Sequence, residues 1–514
     1  LVPDDRRMYR DMEIIGEKDL PTDTKALVEM VDWLDGKNPT AKLLQLIGKK
    51  GDNNAEMESI VLEKGFETGF PAEVEAEAQH LEKTEKPIPA AEIATRRDMR
   101  DTLTFTIDPL DAKDFDDAIS FKELSAVEAK KYGATSGEKL FEIGVHIADV
   151  SHYVRPKSQL DKEASKRACS VYLVDRTIPM LPEVLSNDMC SLNANEDKLV
   201  FSAVFIINLK AEIKDRWIGK VVINSNKRFT YETAQDSITG KSTEYASELT
   251  ILNNIAKTLT KHKLANGAID FEKDEVKFVL DATGKPLHVV LKKRFDAHKL
   301  VEEYMLLANR EVAEYIFKED AKRKTKTPSL LYRIHDSPDQ EKLADLAIFI
   351  KALGYDLESH DGKITSKAIR KLLDDVTGTP HESLIKTATI RSMAKAIYST
   401  QNIGHFGLAF KYYAHFTSPI RRYPDLLVHR VVFHYLKGEK VPESEIAHYE
   451  RMAGKSTERE ILAAEAERGS IKYKQVEYMQ DKVGSEFDGT ITGVTEWGMY
   501  VEEDATKCEG MIKL

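Results

Sequence analysis

The segment Asp108-Pro109-Leu110-Asp111-Ala112-Lys113-Asp114-Phe115-Asp116-Asp117 puts five carboxylates into ten residues, directly after the β-like run from Leu103 to Ile107. At neutral pH such a knot repels itself and needs a counter-charge to form. Hard divalent cations supply one: Mg²⁺ typically takes one or two carboxylates and keeps waters or phosphate oxygens. In an extended chain Asp114 and Asp116 project to one side and Asp117 to the other, so their convergence requires a bend. The competing readings are a solvated acidic turn and a structural ion site. An EF-hand is excluded, because neither Asp108 nor Asp111 opens a loop with Gly at its sixth position and Glu at its twelfth.

Outward from this knot, residues 100–435 read as one mixed region. Strand candidates are Leu103–Ile107, Phe141–Val145, Leu199–Leu209 and Val276–Leu280. Helix candidates are Val301–Phe317, Asp339–Ala352 and Ile385–Ser399, where apolar residues recur at three- and four-residue spacing. Before it, residues 1–52 end in β-like runs around Asp35-Gly36-Lys37-Asn38-Pro39, the pattern of a small all-β domain. Residues 53–99 are acidic and helical, a lead-in, and residues 436–482 are another charged helical stretch. From 483 to 514 alternation returns, in Gly489–Val494 and Trp497–Val501, as the opening of a second small β-barrel. The predicted class is α+β: a mixed sheet with surrounding helices, flanked by small all-β modules.

The second chemical signal is Thr417-Ser418-Pro419-Ile420-Arg421-Arg422-Tyr423-Pro424-Asp425. Pro419 suits a helix's first turn, with Ser418 or Thr417 as cap. Arg421 and Arg422 beside such a terminus suit a phosphate. The bland alternative is a capped helix with surface arginines. Tyr172, Tyr231 and Phe271 lie beside turn or strand residues and could stack on single-stranded bases, although from the residues alone core packing is the better explanation of each. Glu302 and Asn309 share a helical face. His146 and Asp149 read as buried, satisfied polar residues rather than ligands.

The 514 residues suggest about three domains, with 42% hydrophobic and 31% charged residues. No apolar run is long enough to span a membrane. Three scattered cysteines argue against a disulfide scaffold or zinc ribbon and fit a reducing, cytoplasmic setting. The chain lacks an initiator Met and stops in mid-pattern, so it reads as a fragment trimmed at both ends. Lys and Arg total 75 against 86 Asp and Glu, a net charge of −11. That balance argues on its face against a nucleic-acid partner, yet net charge averages over every surface.

Four motifs in series resemble the RNB-domain exoribonucleases, the ribonuclease II and ribonuclease R family. They are Thr106-Ile107-Asp108-Pro109 with Asp114-Phe115-Asp116-Asp117-Ala118, His146-Ile147-Ala148-Asp149-Val150-Ser151, Ile178-Pro179-Met180-Leu181-Pro182, and Thr417-Ser418-Pro419-Ile420-Arg421-Arg422-Tyr423. Pro182–Asn187 and Tyr332-Arg333-Ile334-His335-Asp336 draw the likeness toward the bacterial ribonuclease R group. The resemblance implies an RNB catalytic domain over 100–435, the end of a cold-shock (OB-type) domain before it and the start of an S1 domain after it, both truncated. It implies Asp108, Asp114, Asp116 and Asp117 as catalytic aspartates, with Asp108 and Asp117, and Asp114 beside them, holding Mg²⁺ or in its place Mn²⁺. It implies Arg421 at the scissile phosphate, Arg422 beside it on RNA, Tyr231 and Glu302 around the terminal nucleotide, and Tyr172 and Phe271 clamping the 3′-terminal bases. The function implied is processive 3′-to-5′ hydrolysis of RNA with a free 3′ end, by a monomer, to nucleoside 5′-monophosphates. The alternatives are an RNA-binding protein with a silent RNB domain and a generic metal-dependent phosphatase or DNA exonuclease.

Overall fold

The protein is described from a computed structural model, which covers residues 1–5, 7–16, 19–270, 275–325, 328–358 and 364–514. Strands β1 (Glu13–Ile14), β2 (Thr24–Asp32) and β3 (Thr40–Lys49) form an N-terminal sheet in the order β1-β3-β2. Helices Asn53–Glu63, Ala72–Glu85 and Ala90–Ile93 lead from it to a seven-stranded sheet. That sheet is built from β4 (Arg97–Asp98), β5 (Thr104–Asp108), β6 (Asp117–Glu123), β7 (Leu140–Ala148), β10 (Asp197–Asn208), β11 (Ile213–Asn224) and β12 (Lys227–Thr230). The spatial order is β12-β5-β6-β7-β10-β11-β4, antiparallel in the middle and parallel at both edges. The short strands β8 (Val171–Tyr172) and β9 (Thr177–Ile178) pair separately.

β10 reads Asp-Lys-Leu-Val-Phe-Ser-Ala-Val-Phe-Ile-Ile-Asn and is buried from its second residue onward. β-branched and aromatic residues covered on both faces make it the middle of the core. One face receives the helix Asp296–Arg323, whose Leu300, Tyr304, Leu307, Val312 and Ile316 are buried at three-, four- and five-residue intervals. Each such side chain contributes roughly 1.5–3 kcal/mol on burial. The helix Tyr423–Leu436 is buried almost all round, with Leu426, Leu427, Val428, Val431 and Val432 in the same cluster.

The strand register opens the site. β5 pairs with β6 only through Thr104↔Ser120 and Phe105↔Ile119. Beyond Phe105 the two strands part, while β12 stays with β5 as far as Thr230↔Asp108 and β7 holds Asp117 opposite Ile147. Asp108 therefore ends one strand and Asp117 begins its neighbour, with residues 109–116 looping between them.

Helices Gln340–Ala352, Ser366–Val376 and Glu382–Ser392 share a smaller core of Leu343, Ile350, Ile369, Leu373 and Ile385. The expected single helix Ile385–Ser399 stops at Ser392. Met393 turns extended, and Ile397–Ser399 pairs as a strand with Tyr332–Ile334. Tertiary pairing outweighs local periodicity there. The helix near the arginines also starts later than expected, at Tyr423, with Pro424 in its first turn and Arg422 as its N-cap. Pro419 instead sits in a turn, which the Asp425 carboxylate fixes by accepting the Ser418 amide at 2.8 Å.

The last helix, Glu443–Gln480, has 38 residues and runs about 57 Å. Along it Arg459 lies over the Phe66 ring at 3.6 Å, Glu460 pairs with Arg333 at 2.6 Å, and Ser470 Oγ accepts the Val174 amide at 3.3 Å. The fully buried Lys474 donates to the Gly284 carbonyl at 2.6 Å. Among the terminal strands Gly489–Thr495, Gly498–Glu503 and Glu509–Lys513, Lys472 reaches the Glu509 carbonyl at the start of the last, and Gln475 reaches the Lys507 carbonyl in the loop before it. Among the described residues no helix is long and apolar enough to cross a membrane.

Candidate active site

A cleft of about 410 Å³ opens where β5 and β6 part. Asp108, Asp114, Asp116, Asp117, Tyr172, Tyr231, Glu302, Arg421 and Arg422 all line it. These come from five separate stretches of chain, and every candidate residue within the described part converges there. Phe271 belongs to residues 271–274 and lies outside the described residues.

The bend that the aspartate loop requires comes from Ser191, whose hydroxyl donates to the Lys113 carbonyl at 2.7 Å and accepts the Phe115 amide at 3.0 Å. Asp116 is buried, and its Oδ1 accepts the Ile420 amide at 2.8 Å. Its Oδ2 has no hydrogen-bond partner and lies 3.4 Å from the Arg421 Nε. Asp108 Oδ2 is likewise buried and without a partner. Burial pushes the Asp108, Asp116 and Asp117 carboxyls well above the usual carboxylate range, and their neighbouring carboxylates push in the same direction.

Buried carboxylate oxygens without donors, crowded by like charges, are what a hard cation would relieve, so the donor set fits a divalent metal. Among the described residues, no group of three or more His, Cys, Asp or Glu side chains converges tightly enough to hold a metal by itself. Asp114, expected as a further ligand, accepts a hydrogen bond from the Tyr172 hydroxyl at 3.3 Å. The arrangement therefore suits an ion that keeps waters and borrows substrate oxygens.

The arginines divide their work. Arg421 is 45% exposed at its side chain, held at Ser418 Oγ by Nη2 at 3.0 Å, and it presents its charge to the cleft. Arg422 lines the cleft as well, but its guanidinium is committed to Asp425 Oδ1 at 2.8 Å. On the other wall, Thr230 caps the helix Tyr231–Ile238 by accepting the Thr233 amide, which places Tyr231 directly after Asp108's strand partner. The Tyr231 ring stacks on His298, with centroids 3.8 Å apart and planes 9° from parallel. His298 Nδ1 in turn accepts the Phe295 amide at 3.0 Å. Glu302 holds Arg294 and lies 3.8 Å from Lys263. Asn309, on the same helical face, accepts the Phe416 amide at 2.8 Å and so ties that helix to the arginine segment.

Ser191 and His298 were missed in the sequence. Neither sits in a motif, and each acts only through contacts the fold creates. Asp149 meets the expectation of a buried, satisfied polar residue, whereas His146 is buried but only half satisfied, its Nε2 having no hydrogen-bond partner. His146 Nδ1 bonds Ser202 Oγ at 2.7 Å, and Asp149 pairs with Arg96 at 2.8 Å and Lys220 at 2.9 Å.

The RNB domain family matches residues 96–438, and a cold shock domain family matches residues 1–71. The chain is 37% identical to ribonuclease R of Thermotoga maritima over 100% of this chain and 71% of that protein. It is 36% identical to ribonuclease R of Aquifex aeolicus (93% and 66% covered) and 33% identical to that of Escherichia coli (100% and 62%). It thus spans 62 to 71% of the length of these three relatives. Among solved structures, Mycoplasma genitalium RNase R in complex with ribose-methylated single-stranded RNA superposes with a TM-score of 0.89 at 26% identity, covering 99% of this chain and 78% of that one. The same protein in complex with double-stranded RNA gives 0.88 at 26% identity, with 99% and 88% covered. The yeast pseudonuclease Ssd1 shares the fold, with a TM-score of 0.73 at 19% identity over 96% of this chain and 60% of that one. A domain-length match over the whole catalytic region, relatives above 30% identity and a cleft lined by two of the four motifs, the aspartate and the arginine segments, lead to one conclusion: the chain belongs to the RNB-domain exoribonucleases of the ribonuclease R group.

Proposed function

We propose that this chain hydrolyses RNA processively from a free 3′ end and releases nucleoside 5′-monophosphates, serving RNA decay and quality control. The observation that carries the reading is the meeting, in one cleft, of Asp108, Asp116 and Asp117 with Arg421 and with Tyr231 and Glu302. Metal dependence goes with the family, and Asp108 and Asp117 would hold the ion, with Asp114 at the rim of the same cleft. Bound there, Mg²⁺, or Mn²⁺ in its place, supplies charge neutralisation at the phosphoryl oxygens and a nucleophile at neutral pH.

The chain's own groups do the rest. Asp116, with one oxygen held by the Ile420 amide, positions the attacking water or a second ion. Arg421 stabilises charge on the phosphoryl group as it transfers. Tyr231, braced by His298, and Glu302 seat the terminal nucleotide and meet its 2′-hydroxyl, which makes the site prefer RNA to DNA. Tyr172 and Phe271 hold the last bases by stacking. Residues 1–52 act as a cold-shock-type module, and the terminal strands as the opening of an S1 module feeding single-stranded RNA inward. The protein works as a monomer in the cytoplasm, a reading supported by three widely separated, unpaired thiols, which fit a reducing compartment.

A silent RNB domain would have lost a carboxylate or Arg421, and all of them are present. Uniformly labelled RNA incubated with Mg²⁺ should yield mononucleotides, and EDTA should stop their release. Cleavage that persists in EDTA, internal fragments as first products, or equal rates on DNA and RNA would each overturn the reading.

A further inference from the structure

The loop from Pro109 to Ala112 has few internal restraints. Its amides make one short-range bond, Ala112 to the Pro109 carbonyl at 3.2 Å, and Leu110 is 74% exposed. Yet this loop must hold Asp108 and Asp116 in one arrangement against their mutual repulsion. From outside, Lys277 reaches the exposed Asp111 side chain at 3.5 Å, and Arg228 restrains the backbone. Its Nη2 reaches three carbonyl oxygens of the loop: Pro109 at 3.0 Å, Leu110 at 2.7 Å and Ala112 at 3.2 Å. The same guanidinium lies over the ring of Phe115, 4.8 Å from its centroid, at the far end of the loop. One planar group therefore ties the loop's first half to its last. Arg228 is itself placed by register, since it pairs with Thr106 in β5, two residues before Asp108. Its charge also attracts the Asp108 carboxylate and opposes the crowding there.

We propose that Arg228 is a positioning residue that shapes the aspartate loop for divalent-metal binding, acting through backbone carbonyls and the Phe115 ring rather than by touching RNA. This rests on the reading of Asp108 and Asp117 as metal-holding carboxylates. The chemistry calls for arginine in particular. A planar guanidinium can stack on Phe115 while one edge donates to the loop, whereas a lysine ammonium can donate but cannot stack. Partners that orient metal ligands typically matter by roughly 10- to 100-fold in metal affinity.

The test is Mn²⁺ binding to the RNA-free protein, followed by electron paramagnetic resonance of the free ion, for the parent, Arg228→Ala, Arg228→Lys and Asp108→Asn. Single-stranded RNA affinity is measured alongside, in EDTA. Arg228→Ala is expected to weaken Mn²⁺ binding by roughly 10-fold or more, with RNA affinity within about 2-fold of the parent. Arg228→Lys should fall between, and its single-turnover cleavage should recover as Mn²⁺ is raised. If Arg228→Ala does not fold by circular dichroism, Arg228→Lys carries the test alone. Unchanged Mn²⁺ affinity in the folded Arg228 variants, with loss in Asp108→Asn, overturns this proposal and leaves the metal-site reading standing. Full Mn²⁺ binding by Asp108→Asn overturns that reading itself. A loss of RNA affinity matching the loss of Mn²⁺ would make Arg228 an RNA contact and also overturn the proposal.

Discussion

Asp116 has one carboxylate oxygen tied to a backbone amide and the other facing Arg421 without a hydrogen bond. Asparagine keeps the shape and removes the charge. Asp116→Asn should therefore bind RNA about as well as the parent while cleaving on the order of 100-fold more slowly or worse, the scale for a lost preorganised electrostatic group. Filter binding and single-turnover cleavage on one RNA check both halves. A variant that binds normally and cleaves at the parent rate would remove Asp116 from the chemistry. The carboxylate knot could be read directly, because its members lie within ten residues and their repulsion is a local fact. The residues that hold it could not. Ser191 lies 76 residues from Phe115, and Arg228 lies 118 from Leu110. The Tyr231–His298 stack likewise joins two separate helices. Tyr231 could be singled out as a candidate, but nothing local marks Ser191, Arg228 or His298 as its or the loop's support.

Among the elements, long regular segments were visible wherever burial followed a period. The strand at Val276–Leu280 and the helix spanning Val301–Phe317 are where their apolar spacing puts them. Boundaries decided by remote partners were not visible, as Ile397–Ser399 shows by leaving its helix to pair with Tyr332–Ile334. The join between the helices Tyr423–Leu436 and Glu443–Gln480 carries a pH-dependent contact. His434 lies 3.3 Å from carboxylate oxygens of both Glu445 and Glu439. The Glu445 hydrogen bond, against some opposing burial, raises the imidazole above its ordinary value. A raised folded-state value means the added stability is fully present below the unfolded value near 6.5 and is lost as pH climbs through the folded one. In urea denaturation, His434→Gln should thus be most destabilised relative to the parent at about pH 5.5–6, and the gap should close by roughly pH 8. A gap that stays constant across this range would remove the ion pair as its cause.

Across the whole molecule, the charge of −11 is no guide to partners, because it sums an acidic lead-in and a carboxylate knot with the basic residues of the proposed RNA path. If Arg421 and its neighbours meet phosphates, RNA affinity should fall as salt rises, by roughly 10-fold between about 50 and 200 mM monovalent salt for a few phosphate contacts. A binding isotherm indifferent to salt would contradict that path. The placing of a cold-shock module ahead of the RNB domain was readable in the sequence. The manner in which distant parts are locked together was not, because it depends on the contacts of Glu443–Gln480 with the Phe66 ring, the Val174 amide, the Gly284 carbonyl and the terminal strands. That helix works as a phased ruler. Each added residue advances it by about 1.5 Å and turns it by about 100°. A single-residue insertion between Glu460 and Ser470 would swing Lys472, Lys474 and Gln475 off their carbonyls together, whereas most outward-facing substitutions on the same stretch would disturb none of them. The rod should tolerate changes of letter far better than changes of length.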